Sequence, residues 1–284
     1  RLKGEQIDFI YHFCDGPRGE KDQEAVADNR SAAQAFAKDF KQEVILREKN
    51  FGLNRNLITG LNDVFSRHKS VIVIEDDVMP RNGFFDFMRS GLGQLPNHPD
   101  VFSIAAYHSL VDTDKQLPDY FTLPRFFCWG WASTAERWQQ IKGEVEPLHS
   151  PWKHYWEVPA SAGSDLQWAL RNHLMGKSEM SWDFRVALHC LARNWRSLCS
   201  RDVLIENVGF DGSGENCPDD DESGRLFPPT QMASHILTQS ETITANPQLD
   251  VLLSKQFHAY TDKGLAEVRR RLSYYWARAR NNLA

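Results

Sequence analysis

The chain has 284 residues, of which 41% are hydrophobic and 25% are charged, and its formal net charge at pH 7 is −5. This composition is typical of a soluble globular protein of one or two domains, and the negative charge gives no support for a nucleic-acid partner. The five cysteines lack CxxC spacing, which argues for reduced thiols and against a disulfide scaffold or a zinc site. Reduced thiols are typical of the cytosol, so we expect a cytoplasmic protein, and no apolar run approaches the ~20 residues of a membrane span.

Strand and helix patterns alternate at short intervals in the first third of the chain. Strands are predicted at residues 7–13, 44–47, 71–77, 101–107 and 203–208. Helices are predicted from the capping residues 28–31, after Gly52 and from Phe84. Strand, helix and strand in close succession predict parallel βαβ units with right-handed crossovers. The predicted fold class is therefore α/β, with a central, mostly parallel sheet flanked by helices.

The segment from Val71 to Asp77 is the most informative stretch of the sequence. Four β-branched apolar residues run directly into Glu75, Asp76 and Asp77. Such a run is typical of a strand buried on both faces in the middle of a parallel sheet. Ligands of open α/β sheets bind at the carboxyl ends of strands, where adjacent carboxylates suit a hard divalent cation that carries a phosphate ligand. The simpler alternative is a solvated acidic turn.

Residues 108–124 look like a loop, and the aromatic stretch that follows them, residues 126–133, can be read in two ways. Aromatic clusters usually belong to the core. A glycine between two tryptophans, as in Trp129-Gly130-Trp131, also suits a wall that a sugar ring can approach closely. The sequence leaves both interpretations open.

Two later segments carry candidate chemistry. Ser181 is a predicted N-cap that places Asp183 in the first turn of a helix, where the helix N-terminus favours the charged carboxylate. An ordinary first-turn acid is the commoner case. The loop 209–216 has three glycines in six residues and can place backbone N–H groups and Ser213 on an anion, or it is a plain surface turn.

The phosphate-binding glycine loops of common nucleotide folds are missing. Neither GxGxxG nor GxxxxGK[ST] follows the first predicted strand, which argues against a dinucleotide-binding Rossmann enzyme and a P-loop NTPase. A nucleotide would have to be held through a metal and side chains.

The sequence pattern changes near residue 235. We therefore predict one domain over residues 1–235 and a helical C-terminal extension over residues 236–284. Residues 265–280 form an amphipathic pattern with several arginines. A basic helix of this kind packs on its own domain or lies on an anionic membrane surface, which would place the protein at the inner face of the membrane.

Six motifs in one order carry a resemblance to a known family. They are Cys14–Arg18 (CDGPR), Asn50–Asn56 (NFGLNRN), Val73–Asp77 (VIEDD), Trp129–Ala132 (WGWA), Ser181–Arg185 (SWDFR) and Asn207–Gly214 (NVGFDGSG). Together they resemble bacterial sugar-nucleotide glycosyltransferases of the Rossmann-like GT-A fold, similar to the N-acetylglucosaminyltransferase I group. The resemblance covers roughly residues 5–217. The family begins with one strand more, so we expect an N-terminal strand to be missing from this chain.

The resemblance implies a role for each matching position. Asp77 would ligate Mn²⁺ (or Mg²⁺), Asp183 would be the catalytic base, and Asp165 and Asp211 are the alternatives for the base. Asp15 would contact uracil, and Glu75 and Asp76 would contact ribose or sugar. The residues implied to bind the UDP-sugar donor are Asp15, Arg55, Glu75, Asp76 and Ser213.

The implied activity is a metal-dependent, inverting transfer of a sugar from a UDP-sugar to an acceptor. The acceptor would be a saccharide or a lipid-linked saccharide in cell-surface polysaccharide assembly. Two alternatives stay open, a sugar-1-phosphate nucleotidyltransferase and a non-catalytic sugar- or membrane-binding domain.

Overall fold

The structure is a computed structural model. It describes residues 7–36, 41–110, 117–159, 163–211 and 245–256, together with residues 228, 232, 234–238 and 243. Strands in this part of the chain are β1 (Ile10–Cys14), β2 (Gln42–Leu46), β3 (Ser70–Val73), β4 (Val78–Pro80), β5 (Val101–Ala105), β6 (Tyr120–Leu123), β7 (Trp131–Thr134), β8 (Arg196–Ser200) and β9 (Ile205–Asn207). Helices are α1 (Gln23–Phe36), α2 (Leu53–Arg67), α3 (Phe84–Gln94), α4 (Ala135–Gln139), α5 (Lys142–Val145), α6 (Ser164–Leu174), α7 (Trp182–Ala192) and α8 (Pro247–Gln256). The predicted α/β class is confirmed.

The first βαβ unit has the predicted parallel arrangement. Strands β1 and β2 pair in parallel from Ile10 opposite Gln42 to Cys14 opposite Leu46. Helix α1 begins at Gln23, earlier than the predicted capping residues 28–31. The carboxylate of Asp22 accepts hydrogen bonds from the backbone N–H groups of Arg18 and Gly19, which closes a short 3-10 turn, Glu20–Asp22, directly before α1.

The main sheet is mixed, and the prediction of a mostly parallel central sheet is corrected here. Its five strands lie in the order β3-β7-β5-β8-β6. Only β5 and β8 pair in parallel, whereas the other three pairs are antiparallel. The difference comes from β6, β7 and β8, which the hydrophobic pattern did not identify as strands. Strand β7 inserts between β3 and β5 and runs against both.

Strand β3 is shorter and less buried than predicted. It ends at Val73, it lies at one edge of the five-stranded sheet, and its last three residues are only partly buried. Ile74 is 39% exposed. The chain then turns, with the backbone N–H of Val78 donating to the carbonyl of Glu75 at 3.1 Å, and continues as β4, which pairs with β9. The three carboxylates therefore occupy a turn between β3 and β4.

Aromatic side chains fill the core beneath the sheet. Trp131, Trp138 and Trp182 are each at most 1% exposed, and the ring of Phe65 stacks on that of Trp138 with centroids 5.5 Å apart. The indole N–H of Trp138 donates to the side-chain oxygen of Asn62 at 2.8 Å, which satisfies its one polar atom. This packing fixes α2, α4 and α7 against one another.

Gly130 is required by the core. Its φ is +67°, in the left-handed region, and a Cβ at this position would lie 2.9 Å from side-chain atoms of Ile205 and Phe84. The missing side chain therefore faces packed apolar groups. For the glycine between the two tryptophans, the core interpretation is confirmed.

Helix α8, which falls within the predicted C-terminal extension, packs on the sheet. Leu249 and Leu253 of α8 are buried in a cluster with Leu123 of β6, and Arg196 pairs with Asp250 at 2.6 Å. The basic pattern at 265–280 lies outside the described residues. In the part of the chain that the structure describes, no helix is long and apolar enough to cross a membrane.

Replacement of Gly130 tests this packing. We expect Gly130→Ala to lower the free energy of unfolding by about 2–4 kcal/mol, because it combines a strained backbone with an overpacked site. Urea unfolding measures it, as a lower midpoint at an unchanged slope. Gly143→Ala is the control, since Gly143 lies in α5 with open space around it. A helical Ala there should be neutral or stabilise by about 0.5–1 kcal/mol. Equal midpoints for the two variants would contradict this account of the core.

Candidate functional site

The turn after β3 is tied to the end of β9. The backbone N–H of Val208 donates to the carbonyl of Asp77 at 2.8 Å, and the amide of Asn207 donates to the Asp77 carboxylate at 3.2 Å. The Asn207 side-chain oxygen in turn accepts from the backbone N–H of Gly209 at 2.8 Å. A Cβ on Gly209 would lie 3.0 Å from the Asp77 carboxylate, so the backbone approaches this acid closely. Asp77 is thus fixed in direction and only partly buried.

Asp183 lies where the sequence predicted it, in the first turn of α7 with Ser181 at the N-cap. Its carboxylate accepts hydrogen bonds from the Ser181 side chain and the Phe184 backbone. The helix N-terminus favours the charged form as expected, through the Phe184 backbone, but a second effect opposes it. Burial raises the pKa of Asp183 and outweighs both hydrogen bonds and the nearby Arg125 charge.

The acids from the two segments meet. Burial, followed by the charges of Asp77, Asp183 and Asp76 in that order, raises the pKa of Glu75 to about 8. The thiol of Cys128 also joins the group, because it contacts the Glu75 carboxylate and lies 4.0 Å from Asp183 Oδ2. Burial and the two acids raise the pKa of this thiol, so it is a neutral group between them. We call these four acids and Cys128 the carboxylate cluster.

Cys128 was missed by sequence reasoning, because a single cysteine in an aromatic stretch carries no signal of its neighbours. Glu75 contributes a second feature that only the structure shows. Its Oε1 atom is buried and has no hydrogen-bond partner. A buried, unpartnered carboxyl oxygen in a cluster of acids is a position at which a ligand donor or a cation is favourable.

The cluster fits a cation only when other ligands complete the coordination. Among the described residues, no group of three or more His, Cys, Asp or Glu side chains could hold a metal ion by itself. Hard divalent cations are, however, often bound through one or two carboxylates plus substrate phosphates and water. Asp77, oriented by Asn207, matches this mode of binding.

Asp15, the predicted uracil contact, lies at the N-terminus of α2. Its carboxylate accepts from the backbone N–H groups of Gly16 and Phe51, both at 2.8 Å, and of Gly52 at 2.9 Å. A carboxylate can accept about four hydrogen bonds, so capacity for one more donor remains. Asp15 therefore holds the loop before α2 in place, whatever else it contacts.

Two arginines flank the same loop. The guanidinium carbons of Arg55 and Arg47 lie 4.6 Å and 4.9 Å from the ring centroid of Phe51. Arg55 is exposed, whereas Arg47 is held by Asn56 at 3.1 Å. Positive charge beside a helix N-terminus attracts an anion, which agrees with the predicted contact of Arg55 with the donor.

Apart from Asp76, the remaining predicted residues do not join the carboxylate cluster. Asp165, an alternative base, forms a two-point ion pair with Arg125, whose side chain is 7% exposed. Its carboxylate is therefore engaged, which argues against a role as base. Ser213 and the side chain of Asp211 lie outside the described residues, whereas Asp76 belongs to the cluster as its exposed member.

Comparison with models of known protein families gives no match to this chain. A search of curated protein sequences likewise finds no relative. The functional interpretation consequently rests on the motifs and on the geometry of the cluster.

Two Asp→Asn replacements should change stability in opposite directions. Because the pKa of Asp183 is raised in the folded state, ionising it costs stability as the pH rises through that pKa. Asp183→Asn should therefore unfold at a higher urea concentration than the wild type at pH 7. The difference should shrink as the pH falls towards 3.8, the ordinary value for this group.

Asp165→Asn should instead lower the free energy of unfolding at pH 7 by about 2–3 kcal/mol, because it leaves the Arg125 charge buried without its partner. Urea unfolding of both variants at several pH values measures the contrast. Destabilisation by Asp183→Asn at pH 7 would contradict the assignment of burial as the dominant effect on Asp183.

Proposed function

We propose that the protein is a metal-dependent, inverting glycosyltransferase that moves a sugar from a UDP-sugar to a saccharide acceptor. The observation that carries this proposal is the convergence of acids from two distant segments, Glu75 and Asp77 after β3 and Asp183 on α7. One segment matches a donor-binding motif and the other matches a base motif. Their proximity supports one site with two halves.

We also propose the GT-A type of fold. The support is the order β1-α1-β2-α2-β3 followed at once by an acidic turn, and the mixed sheet that continues beyond it. Ligands of open α/β sheets bind at the carboxyl ends of the strands, where this turn lies.

In the donor half, Asp77 would hold Mn²⁺ or Mg²⁺ together with the two phosphates. Such a cation supplies Lewis-acid neutralisation of the charge that develops on the diphosphate. Glu75, whose pKa of about 8 keeps it mainly protonated at neutral pH, can donate a hydrogen bond to a hydroxyl of the sugar or ribose. Arg55 and Asp15 would contact the nucleotide.

In the acceptor half, Asp183 would take the proton of the attacking hydroxyl. The hydroxyl oxygen bonds to the anomeric carbon, the bond from that carbon to the phosphate oxygen breaks, and UDP leaves with the electron pair. Attack opposite to the leaving group inverts the configuration, through an oxocarbenium-like state. The raised pKa of Asp183, which comes from burial, makes this carboxylate a stronger base.

The choice of acceptor rests on the sequence resemblance. A saccharide or lipid-linked saccharide of cell-surface polysaccharide is the proposed acceptor class. The basic pattern at 265–280 is the proposed contact with an anionic membrane surface.

Metal-dependent UDP binding tests the donor half. Isothermal titration of UDP should show an affinity at least about 10-fold higher with Mn²⁺ than with EDTA, and Asp77→Asn should abolish the difference, because a neutral amide is a poor ligand for a hard cation. Asp86→Asn is the control, since Asp86 forms an exposed pair with Arg89. Metal-independent UDP binding would contradict the proposed site.

The outcomes also separate the alternatives. A nucleotidyltransferase would release pyrophosphate from UTP and a sugar 1-phosphate. A non-catalytic binding domain would take up saccharide or membrane and leave UDP unbound. Either result would replace the proposal.

Asp183→Asn tests the acceptor half. Against a panel of UDP-sugars, the variant should lose about 10²–10⁴-fold in kcat because no base accepts the proton. Its affinity for UDP with Mn²⁺ should stay within about 2-fold of the wild type, since the donor half is untouched. Full activity of Asp183→Asn would refute the assignment of the base.

A further inference from the structure

The turn that leads into α7 is held by a single side chain of α2. Asn54 uses both ends of its amide on this turn. Its Nδ2 donates to the carbonyl of Met180 at 3.2 Å, and its Oδ1 accepts from the backbone N–H of Trp182 at 2.7 Å. These two contacts bracket Ser181, whose side chain hydrogen-bonds to Asp183.

The orientation of the Asn54 amide is determined by its partners. A carbonyl needs a donor and a backbone N–H needs an acceptor, so the reversed amide would make both contacts unfavourable. Asn54 therefore recognises one particular backbone path through residues 180–182. A different path would cost at least one of the two hydrogen bonds.

A second side chain, that of Arg185, also contacts this turn. Arg185, 2% exposed, donates from Nε to the Met180 carbonyl at 2.8 Å. Its guanidinium also pairs with Glu146 at 2.6 Å and with Glu179. The Met180 carbonyl thus accepts two hydrogen bonds, one from Asn54 and one from Arg185. Arg185 belongs to α7 itself, and the backbone N–H of Met180 also donates to Nδ1 of His173 on α6 at 3.4 Å. Asn54 is the contact that ties the turn to α2.

Asn54 lies in the first turn of α2, close to the loop that Asp15 holds. The loop just before α2 is fixed by Asp15 through the N–H groups of Phe51 and Gly52. The start of α2 is thus bound to Asp15 on one side and to the turn before Asp183 on the other. One rigid segment connects the proposed nucleotide contact to the proposed base.

We propose that Asn54 is a positioning residue for Asp183. It fixes the backbone of residues 180–182, which sets where the Asp183 carboxylate lies relative to the acids of the 75–77 turn, and it does so without touching substrate. The expected effect on turnover rests on the proposed function. The two hydrogen bonds from Asn54 to the turn are independent of that function.

The test compares Asn54→Ala with Asn62→Ala. Asn62 is a matched control, because it lies on the same helix and accepts a hydrogen bond from a tryptophan N–H at 2.8 Å, but it contacts α4 and not the turn. We expect Asn54→Ala to lower kcat by about 10–100-fold, as a displaced catalytic group does. Its KM for the UDP-sugar and its affinity for UDP with Mn²⁺ should be unchanged. Asn62→Ala should keep kcat within about 2-fold of the wild type, whatever its effect on stability.

Amide hydrogen exchange supplies a readout that needs no turnover. Peptides covering residues 180–184 should exchange faster in Asn54→Ala and at the wild-type rate in Asn62→Ala. Unchanged exchange in Asn54→Ala, or equal losses of kcat in the two variants, would overturn the proposal. If the wild type transfers no sugar, the proposed function fails, and the exchange rates alone decide whether Asn54 fixes the turn.

Discussion

The crowding of carboxylates at the end of β3 is the constraint on which the site depends. Glu75 is surrounded by three other acids in a partly buried place, and burial together with the charges of these acids raises its pKa to about 8. Among the described residues, Arg125 is the cation that lowers the pKa of Asp183, and it is already paired with Asp165. A cluster of this kind lowers the stability of the free protein and is relieved by a bound cation or by donors from a ligand.

The supporting structure holds the acids in place without neutralising them. Asn207 orients Asp77, Ser181 and the Phe184 backbone bind Asp183, and Asn54 fixes the turn between α2 and α7. Each of these contacts is a hydrogen bond made by a neutral group, so the negative charge stays available to a ligand. The aromatic core around Trp131 and Trp182 supports both the donor half and the acceptor half of the proposed site.

Part of this arrangement could be predicted from the sequence, where local patterns decide the structure. The first βαβ unit followed from apolar periodicity, and the placement of Asp183 followed from the N-cap at Ser181. The mixed sheet could not be predicted, because β6 and most of β7 are buried stretches without alternation. Strand β8 contains Ser197, a polar residue whose hydroxyl pairs with that of Ser103 across the sheet at 2.8 Å. The raised pKa of Asp183 depends on burial, which the local capping pattern does not contain.

The central claim is that the two acidic segments form one site for a nucleotide diphosphate and a divalent cation. A crystal structure with UDP and Mn²⁺, in which anomalous scattering locates the metal, tests it most directly. The account predicts an anomalous peak bonded to the Asp77 carboxylate and to both phosphates, with Asp183 facing the open side of the β-phosphate. A peak away from residues 75–77, or UDP bound elsewhere on the protein, would contradict the account.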